Sequence, residues 1–72
     1  MEILIFQTDI KSEEKIASIE PVFNNHDDIL NWSIDLEDID NVLRIEANST
    51  LTEKAVIDIV KQHYFTIKTL TD

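Results

Sequence analysis

Apolar positions along the chain predict four β-strands. Residues Glu2 to Thr8 are largely apolar without interruption, which is typical of a central strand. From Leu30 to Leu36 every second residue is apolar, so this strand should bury one face and leave the other in water. Val42 to Ala47 returns after a polar hairpin loop, and Phe65 to Leu70 alternates again. The pattern therefore predicts one strand at each end of the chain and a hairpin in the middle.

Apolar residues at helical spacing follow the first strand. They recur from Ile16 to Phe23 on one helical face. Ser12 precedes two glutamates, which predicts an N-cap followed by an acidic first turn at the positive end of the helix dipole. Pro21 removes one backbone hydrogen bond and crowds a carbonyl. We therefore expect a kink or an early end near Glu20.

A second helix is predicted from the spacing of Val56, Ile59, Val60 and His63. Two N-caps compete for its start. Thr50 and Glu53 fit a capping box, whereas Thr52 is the alternative cap. The sequence leaves this choice open.

The order of predicted elements is strand, helix, strand, strand, helix, strand. This order divides into two halves of the βαβ type joined by a hairpin, which indicates an α+β fold, the ferredoxin-like βαββαβ sandwich. It has a four-stranded antiparallel sheet with two helices on one face. The whole chain, residues 1–72, is interpreted as a single domain because it is too short for two.

Charge and composition argue against several classes of partner and site. Six basic residues stand against fifteen acidic ones, for a net charge of −9. Such a surface repels phosphate backbones and anionic lipids, so neither nucleic acid nor membrane is expected as a partner. The chain has no cysteine, no apolar run long enough to span a bilayer and no signal-peptide pattern. These features predict a cytoplasmic protein without disulfides or thiolate metal sites.

Several segments together resemble the heavy-metal-associated domain family over almost the full chain. The first strand ends in Thr8–Lys11, Ile29–Leu36 resembles the family's second strand, and Leu51–Lys54 opens the second helix. Phe65 lies where the family often has an aromatic residue. The resemblance implies the ferredoxin-like fold that the periodicity also predicts.

The family binds soft ions such as Cu(I) or Zn(II) through Cys-x-x-Cys in its first loop, and here those two positions are Ser12 and Lys15. A hydroxyl is a weak ligand for a soft ion, and a protonated amine is none. The resemblance therefore implies a degenerate metal-binding loop, with no metal or other cofactor expected. Tyr64 also stands where the family commonly has glycine. Tyrosine would be strained in a left-handed conformation, which predicts a different helix end.

Other polar residues gave weaker candidates for a site. Potential metal ligands occur in three places. The turn after the first helix holds His26, Asp27 and Asp28, the predicted end of the second helix holds His63, and the tip of the hairpin holds Glu37, Asp38 and Asp40. We interpret them as a solvated turn, a helix cap and a solvated acidic tip. No nucleophile with an adjacent base is evident, because a Ser12–Lys15 pair would lie at an exposed helix start. The chain is therefore predicted not to be an enzyme.

The open face of the sheet is the predicted interaction site. If Leu4 and Phe6 face the helices, then Ile3 and Ile5 face away from them, and Val42 has the same parity in its own strand. An exposed aliphatic patch on an acidic domain suggests docking. The alternative is that long polar side chains such as those of Arg44 and Lys68 cover the patch.

These observations lead to two hypotheses for the function. The first is a non-catalytic interaction domain that binds a protein partner, or a second copy of itself, through the open face. The alternative is a residual metal-ion binding or transport role, similar to that of a copper chaperone, with ligands other than cysteine.

Overall fold

The computed structural model describes residues 2–70, so Met1, Thr71 and Asp72 of the predicted 1–72 domain lie outside it. Six elements follow one another along the chain. They are β1 (Glu2–Thr8), α1 (Glu13–Asn24), β2 (Ile29–Asp35), β3 (Val42–Ala47), α2 (Glu53–Gln62) and β4 (Ile67–Thr69). This order confirms the predicted βαββαβ sequence of elements.

The four strands form one antiparallel sheet in the order β2-β3-β1-β4. β1 is a central strand, as its apolar composition predicted. Leu4 pairs with Ile45 and Phe6 with Leu43, so these four side chains share one face of the sheet. The fold is therefore the ferredoxin-like sandwich of the prediction.

Both helices cover the same face of the sheet and enclose one hydrophobic core. The largest fully buried side chains come from the sheet, from both helices and from the loop after β1; they are Phe6, Phe23, Ile10, Ile19, Leu43, Ile45, Val56 and Val60. Phe23 of α1 packs edge-on against Trp32 of β2, with ring centroids 5.0 Å apart and an interplanar angle of 62°. The Trp32 indole Nε1 donates a hydrogen bond to Asn24 Oδ1 at 2.9 Å. These contacts fix the end of α1 against the edge strand.

The prediction that Pro21 ends or kinks the first helix near Glu20 was wrong about its end, because α1 continues to Asn24. Phe23 is completely buried two residues after the proline, and the Asn25 N–H donates to the Pro21 carbonyl at 3.1 Å. The proline ring itself is exposed. Burial of Phe23 therefore outweighs the single backbone bond that the proline removes.

The second strand begins one residue earlier than predicted and ends at Asp35, so Leu36 lies outside it. A register shift separates the pair Ile29–Ala47 from the pair Asn31–Glu46. Leu30, predicted on the buried face, lies at this bulge and is 58% exposed. Trp32 and Ile34 pack against the core, as the alternation predicted.

The structure settles the start of α2 in favour of Thr52, whose side chain accepts a hydrogen bond from the Ala55 N–H at 3.1 Å. The capping box predicted at Thr50 does not form. The Thr50 hydroxyl instead donates to Asn48 Oδ1 at 2.6 Å in the preceding turn. β4 is also shorter than predicted, because Phe65 and Thr66 precede it and Leu70 follows it.

The prediction that α2 would avoid a left-handed residue at its end was wrong, because Tyr64 has φ = 67°. The Tyr64 N–H donates to the Lys61 carbonyl at 3.0 Å and the Phe65 N–H to the Val60 carbonyl at 3.4 Å. This is the Schellman pattern that usually employs glycine. The backbone bonds and the packing of Phe65 against the core hold Tyr64 in that conformation.

Candidate functional site

Three loops meet at one end of the molecule. They are the segment after β1, the β2–β3 hairpin loop and the segment between α2 and β4. The Thr8 N–H donates to the Asp40 carbonyl at 3.0 Å, which joins the first two loops. The Thr66 N–H donates to Asp9 Oδ1 at 2.8 Å, which joins the first and third. This end is therefore held together by hydrogen bonds between segments distant in sequence.

Ser12 and Lys15, at the family's cysteine positions, lie at the start of α1. Ser12 is the N-cap, and its Oγ accepts a hydrogen bond from the Lys15 backbone N–H at 3.2 Å. Glu13 and Glu14 occupy the first turn, as predicted. The Lys15 side chain is exposed. The geometry of this loop is that of a capped helix start.

The two histidines lie at opposite ends of the molecule. His63 is the C-cap of α2, and its Nδ1 lies 2.9 Å from the Ile59 carbonyl oxygen, to which it can only donate. His26 Nδ1 accepts a hydrogen bond from the Asp28 N–H at 3.1 Å in the turn after α1. Both rings thus have local structural partners, in agreement with the predicted cap and turn.

Asp28 connects that turn to the β3–α2 loop. Its Oδ1 accepts a hydrogen bond from the Asn48 side-chain amide at 2.8 Å, and its carbonyl accepts one from the Asn48 N–H at 3.1 Å. The Asn48 side chain, with a smaller contribution from Thr50, lowers the pKa of the Asp28 carboxyl below its ordinary value. Asp28 is therefore a structural link between two loops.

The acidic hairpin tip is organised by its own backbone. Asp38 Oδ1 accepts a hydrogen bond from the Asp40 N–H at 2.8 Å, and Asp35 Oδ1 accepts one from the Glu37 N–H at 3.0 Å. Asn41 closes the loop with φ = 44°, a conformation that asparagine tolerates. Within residues 2–70, no three His, Asp or Glu side chains gather where they could hold one metal ion.

The open face of the sheet has the predicted parity. Leu4, Phe6 and Thr8 are buried beneath the helices, while Ile3 and Ile5 alternate with them and face away. Ile3 is 41% exposed and Ile5 is half-buried. Neither belongs to the hydrophobic core or packs against it.

Polar side chains border these isoleucines, as the alternative interpretation expected. Ile5 pairs with Arg44 and Ile3 with Glu46, and Arg44 and Glu46 form an ion pair at 3.8 Å on the same face. Val42 also faces this side, but it is two residues away from Arg44 and thus only diagonal to Ile5. Ile3 and Ile5 are therefore bordered by charges on the β3 side.

Leu70 is a member of this face that the sequence analysis did not assign to it. Its N–H donates to the Ile5 carbonyl at 3.0 Å, which brings it beside Ile5 on the β4 side. The side chain is exposed. The alternation of Phe65 to Leu70 was the signal that would have found it. We define the open-face patch as Ile3, Ile5, Val42 and Leu70.

Comparison with known proteins relates the fold to metal-handling proteins. No protein-family model matches the chain, and no curated protein matches it either. Among solved structures, a chain from the solution structure of the Atx1–Cu(I)–Ccc2a complex matches with a TM-score of 0.85 at 14% identity, covering 100% of this chain and 99% of that chain. The chain therefore shares its fold with that solved structure.

Two further solved structures share this fold. One is the CsoZ metallochaperone, with a TM-score of 0.77, 13% identity and coverage of 93% of this chain and 96% of that chain. The other is described as crosstalk between Cu(I) and Zn(II) homeostasis, with a TM-score of 0.81, 11% identity and coverage of 97% and 100%. None of the three is described as an enzyme. Within residues 2–70, neither helix is long and apolar enough to cross a membrane.

Proposed function

We propose that the chain is a non-catalytic protein-interaction domain whose binding surface is the open face of the sheet. The observation that carries the proposal is the open-face patch itself, four aliphatic side chains outside the core on an otherwise acidic molecule. Large apolar side chains that gather on one face commonly mark interaction sites. The similarity to a chain from a two-protein complex supports a role in protein binding.

The partner that fits this face best is a second copy of the chain, because the face is the neutral side of the molecule. Among residues 2–70, the charged side chains on this face are two basic and two acidic ones, namely Arg44, Lys68, Asp35 and Glu46. Most of the fifteen acidic residues therefore lie elsewhere. Two copies that meet face to face keep their acidic surfaces apart and bring their apolar patches together.

The face is also self-complementary. Arg44 and Glu46 lie side by side on β3, so a two-fold axis near them brings Arg44 of one copy opposite Glu46 of the other. Strand and sheet spacings give the face an area of roughly 300 to 400 Å². Such a dimer buries about 600 to 800 Å² in total, which is below the size of stable interfaces. We therefore expect a weak dimer, with a Kd of about 0.1 to 1 mM.

Analytical ultracentrifugation tests this proposal. We expect the sedimentation coefficient of the wild type to rise with concentration, and to rise more in high salt because salt screens the repulsion between acidic copies. Ile5→Lys should abolish the rise. Ala17→Lys is the matched control, since it adds the same charge at an exposed position of α1 and should leave association intact. A wild type that stays monomeric at about 1 mM contradicts the proposal.

A second candidate function is metal binding through ligands other than cysteine, motivated by neighbours whose descriptions name Cu(I), Zn(II) and a metallochaperone. Titration of nitrogen-labelled protein with Cu(I), Zn(II) and Ca(II) tests it by amide NMR. Shifts that saturate at one equivalent near Ser12, Lys15 and His63, or at the acidic hairpin tip, support metal binding. An unchanged spectrum removes this candidate for the three ions.

A further inference from the structure

A groove of about 320 Å³ lies at the end of the molecule where the three loops meet. Its walls come from the end of β1 and the following loop, from the hairpin loop and from the start of β4. Residues that line the groove include Gln7, Asp9, Lys11, Ile39, Thr66 and Lys68. A volume of this size is at the lower end of small-molecule sites. The groove shares Lys68 with the open face, but none of the four patch residues lines it, and the inference below does not depend on the proposed self-association.

The groove walls are preformed by hydrogen bonds. The buried Thr8 hydroxyl donates to the Asn41 carbonyl at 2.7 Å and accepts from the Ile10 N–H at 3.2 Å, which fixes the hairpin loop against the end of β1. Asp9 and Thr66 form two hydrogen bonds that fix the opposite wall. A ligand therefore does not have to order these segments, which lowers the cost of binding.

The charges in the groove favour an anion. Lys11 and Lys68 both line it, and neither forms an ion pair with any residue in the range 2–70. The one carboxylate in the lining, that of Asp9, already accepts the Thr66 N–H. Two of only six basic residues thus face the same concave surface of a chain whose net charge is −9. An anionic group bound in this groove would be attracted to both ammonium groups.

An apolar side chain completes the groove. Ile39 lines it and is 95% exposed, although it lies between acidic residues at the hairpin tip. Asn41, two residues after Ile39, closes this loop with a left-handed backbone. A ligand that covers Ile39 while its anionic end reaches the lysines uses both features, because it buries apolar surface and pairs charge.

From this arrangement we infer that the groove binds a carboxylate attached to a short aliphatic group. That chemistry occurs both in a free organic acid and in the C-terminal residue of a peptide. Phosphate supplies the charge without the apolar part, so it should bind more weakly.

Amide NMR of the full chain tests the inference with N-acetylleucine as the probe and its neutral amide as the comparison. We expect saturable shifts at Lys11, Ile39 and Lys68 with the acid, and none with the amide. Removal of two positive charges by Lys11→Gln with Lys68→Gln should weaken binding at least about ten-fold. The matched control is Lys54→Gln with Lys61→Gln, which removes two positive charges from α2 and should leave the affinity unchanged.

Two further arms separate the sources of the carboxylate and the role of Ile39. A short peptide with a free C-terminal leucine that binds about ten-fold more tightly than N-acetylleucine identifies a chain terminus as the ligand, whereas equal affinity identifies a free acid. Ile39→Ser should weaken N-acetylleucine and leave phosphate unchanged. Equal shifts from acid and amide, or phosphate binding as tight as that of the acid, would overturn the inference.

Discussion

Phe6 and Ile5 are neighbours in β1, yet they face opposite sides of the sheet. Phe6 is fully buried beneath two helices, whereas Ile5 is half-buried beside Arg44 and Leu70. The same contrast holds in β3, where Ile45 belongs to the core and Arg44 is exposed. Residues on the first side decide whether the chain folds, and those on the second are free to serve a function. One strand can therefore contribute both to the folded core and to a binding surface, because its side chains alternate between the two sides of the sheet.

The largest expected difference between the two sides is in stability. Phe6→Ala should lower the unfolding free energy by about 3 to 5 kcal/mol because it leaves a cavity in the core. A core of this size supplies roughly 3 to 5 kcal/mol net, so the variant should be largely unfolded at 25 °C. Circular dichroism and the fluorescence of Trp32 measure this loss.

The matched substitution on the open face is Ile5→Ala. It should cost about 1 kcal/mol or less, because the side chain is only partly removed from water in the folded monomer. Equal losses of unfolding free energy for Phe6→Ala and Ile5→Ala would show that the open face is also packed in the monomer. That result would contradict the difference between the two sides of the sheet.

A second prediction concerns Thr8, the last residue of β1 on the buried side. Its hydroxyl bonds to the Asn41 carbonyl and the Ile10 N–H, and both partners lose their bond in Thr8→Val. We expect a loss of about 1 to 3 kcal/mol in urea denaturation. Gln7→Ala, the adjacent change on the open side, should stay within about 0.5 kcal/mol. A neutral Thr8→Val would mean that these two hydrogen bonds contribute nothing net to stability.

Exposed residues can also affect stability through the backbone. Tyr64 is 96% exposed and has φ = 67°, so its replacement loses little burial and removes strain. Tyr64→Gly should raise the unfolding free energy by about 1 kcal/mol, since glycine adopts this conformation without a steric cost. Asn41→Gly is the control at the other left-handed position, where asparagine is already tolerated and little change is expected. A thermal melt in which Tyr64→Gly is less stable than wild type would show that the ring has a packing role.

The smallest expected effect is a pH dependence at the other end of the molecule. The folded pKa of Asp28 is lowered from its ordinary 3.8 by the Asn48 amide, so its contribution to stability is present above that value. That contribution disappears as the pH falls through the lower, folded pKa. Asn48→Ala should therefore be less stable than wild type at neutral pH, and the deficit should shrink in acid. A deficit that is the same at every pH would exclude this linkage.

The sequence was sufficient for the architecture because both periodicities are strong. Alternation placed Leu43 and Ile45 on one face, and helical spacing placed Val56 and Val60 in the core, as the structure has them. Ser12 was also recognisable as a cap from the residues that follow it. In each of these cases the signal is local to a single element.

Errors occurred where a second element decides the outcome. Leu30 is exposed because the register between β2 and β3 shifts there, which no single strand reveals. α1 continues past Pro21 because Phe23 fills a site in the core. Tyr64 is left-handed because the Schellman bonds and the packing of Phe65 against the core hold it in that conformation. The groove that holds Lys11, Ile39 and Lys68 is formed by three segments distant in sequence, so composition could not indicate it.

The most direct test of the proposed interaction surface is a dilution series followed by amide NMR. Spectra of the wild type at about 1 mM and about 20 µM should differ if copies associate weakly. The account predicts shifts confined to the open face, at Ile3, Ile5, Val42 and their strand neighbours, with α1 and α2 unchanged. Shifts confined to the helices, or identical spectra at both concentrations, would contradict it.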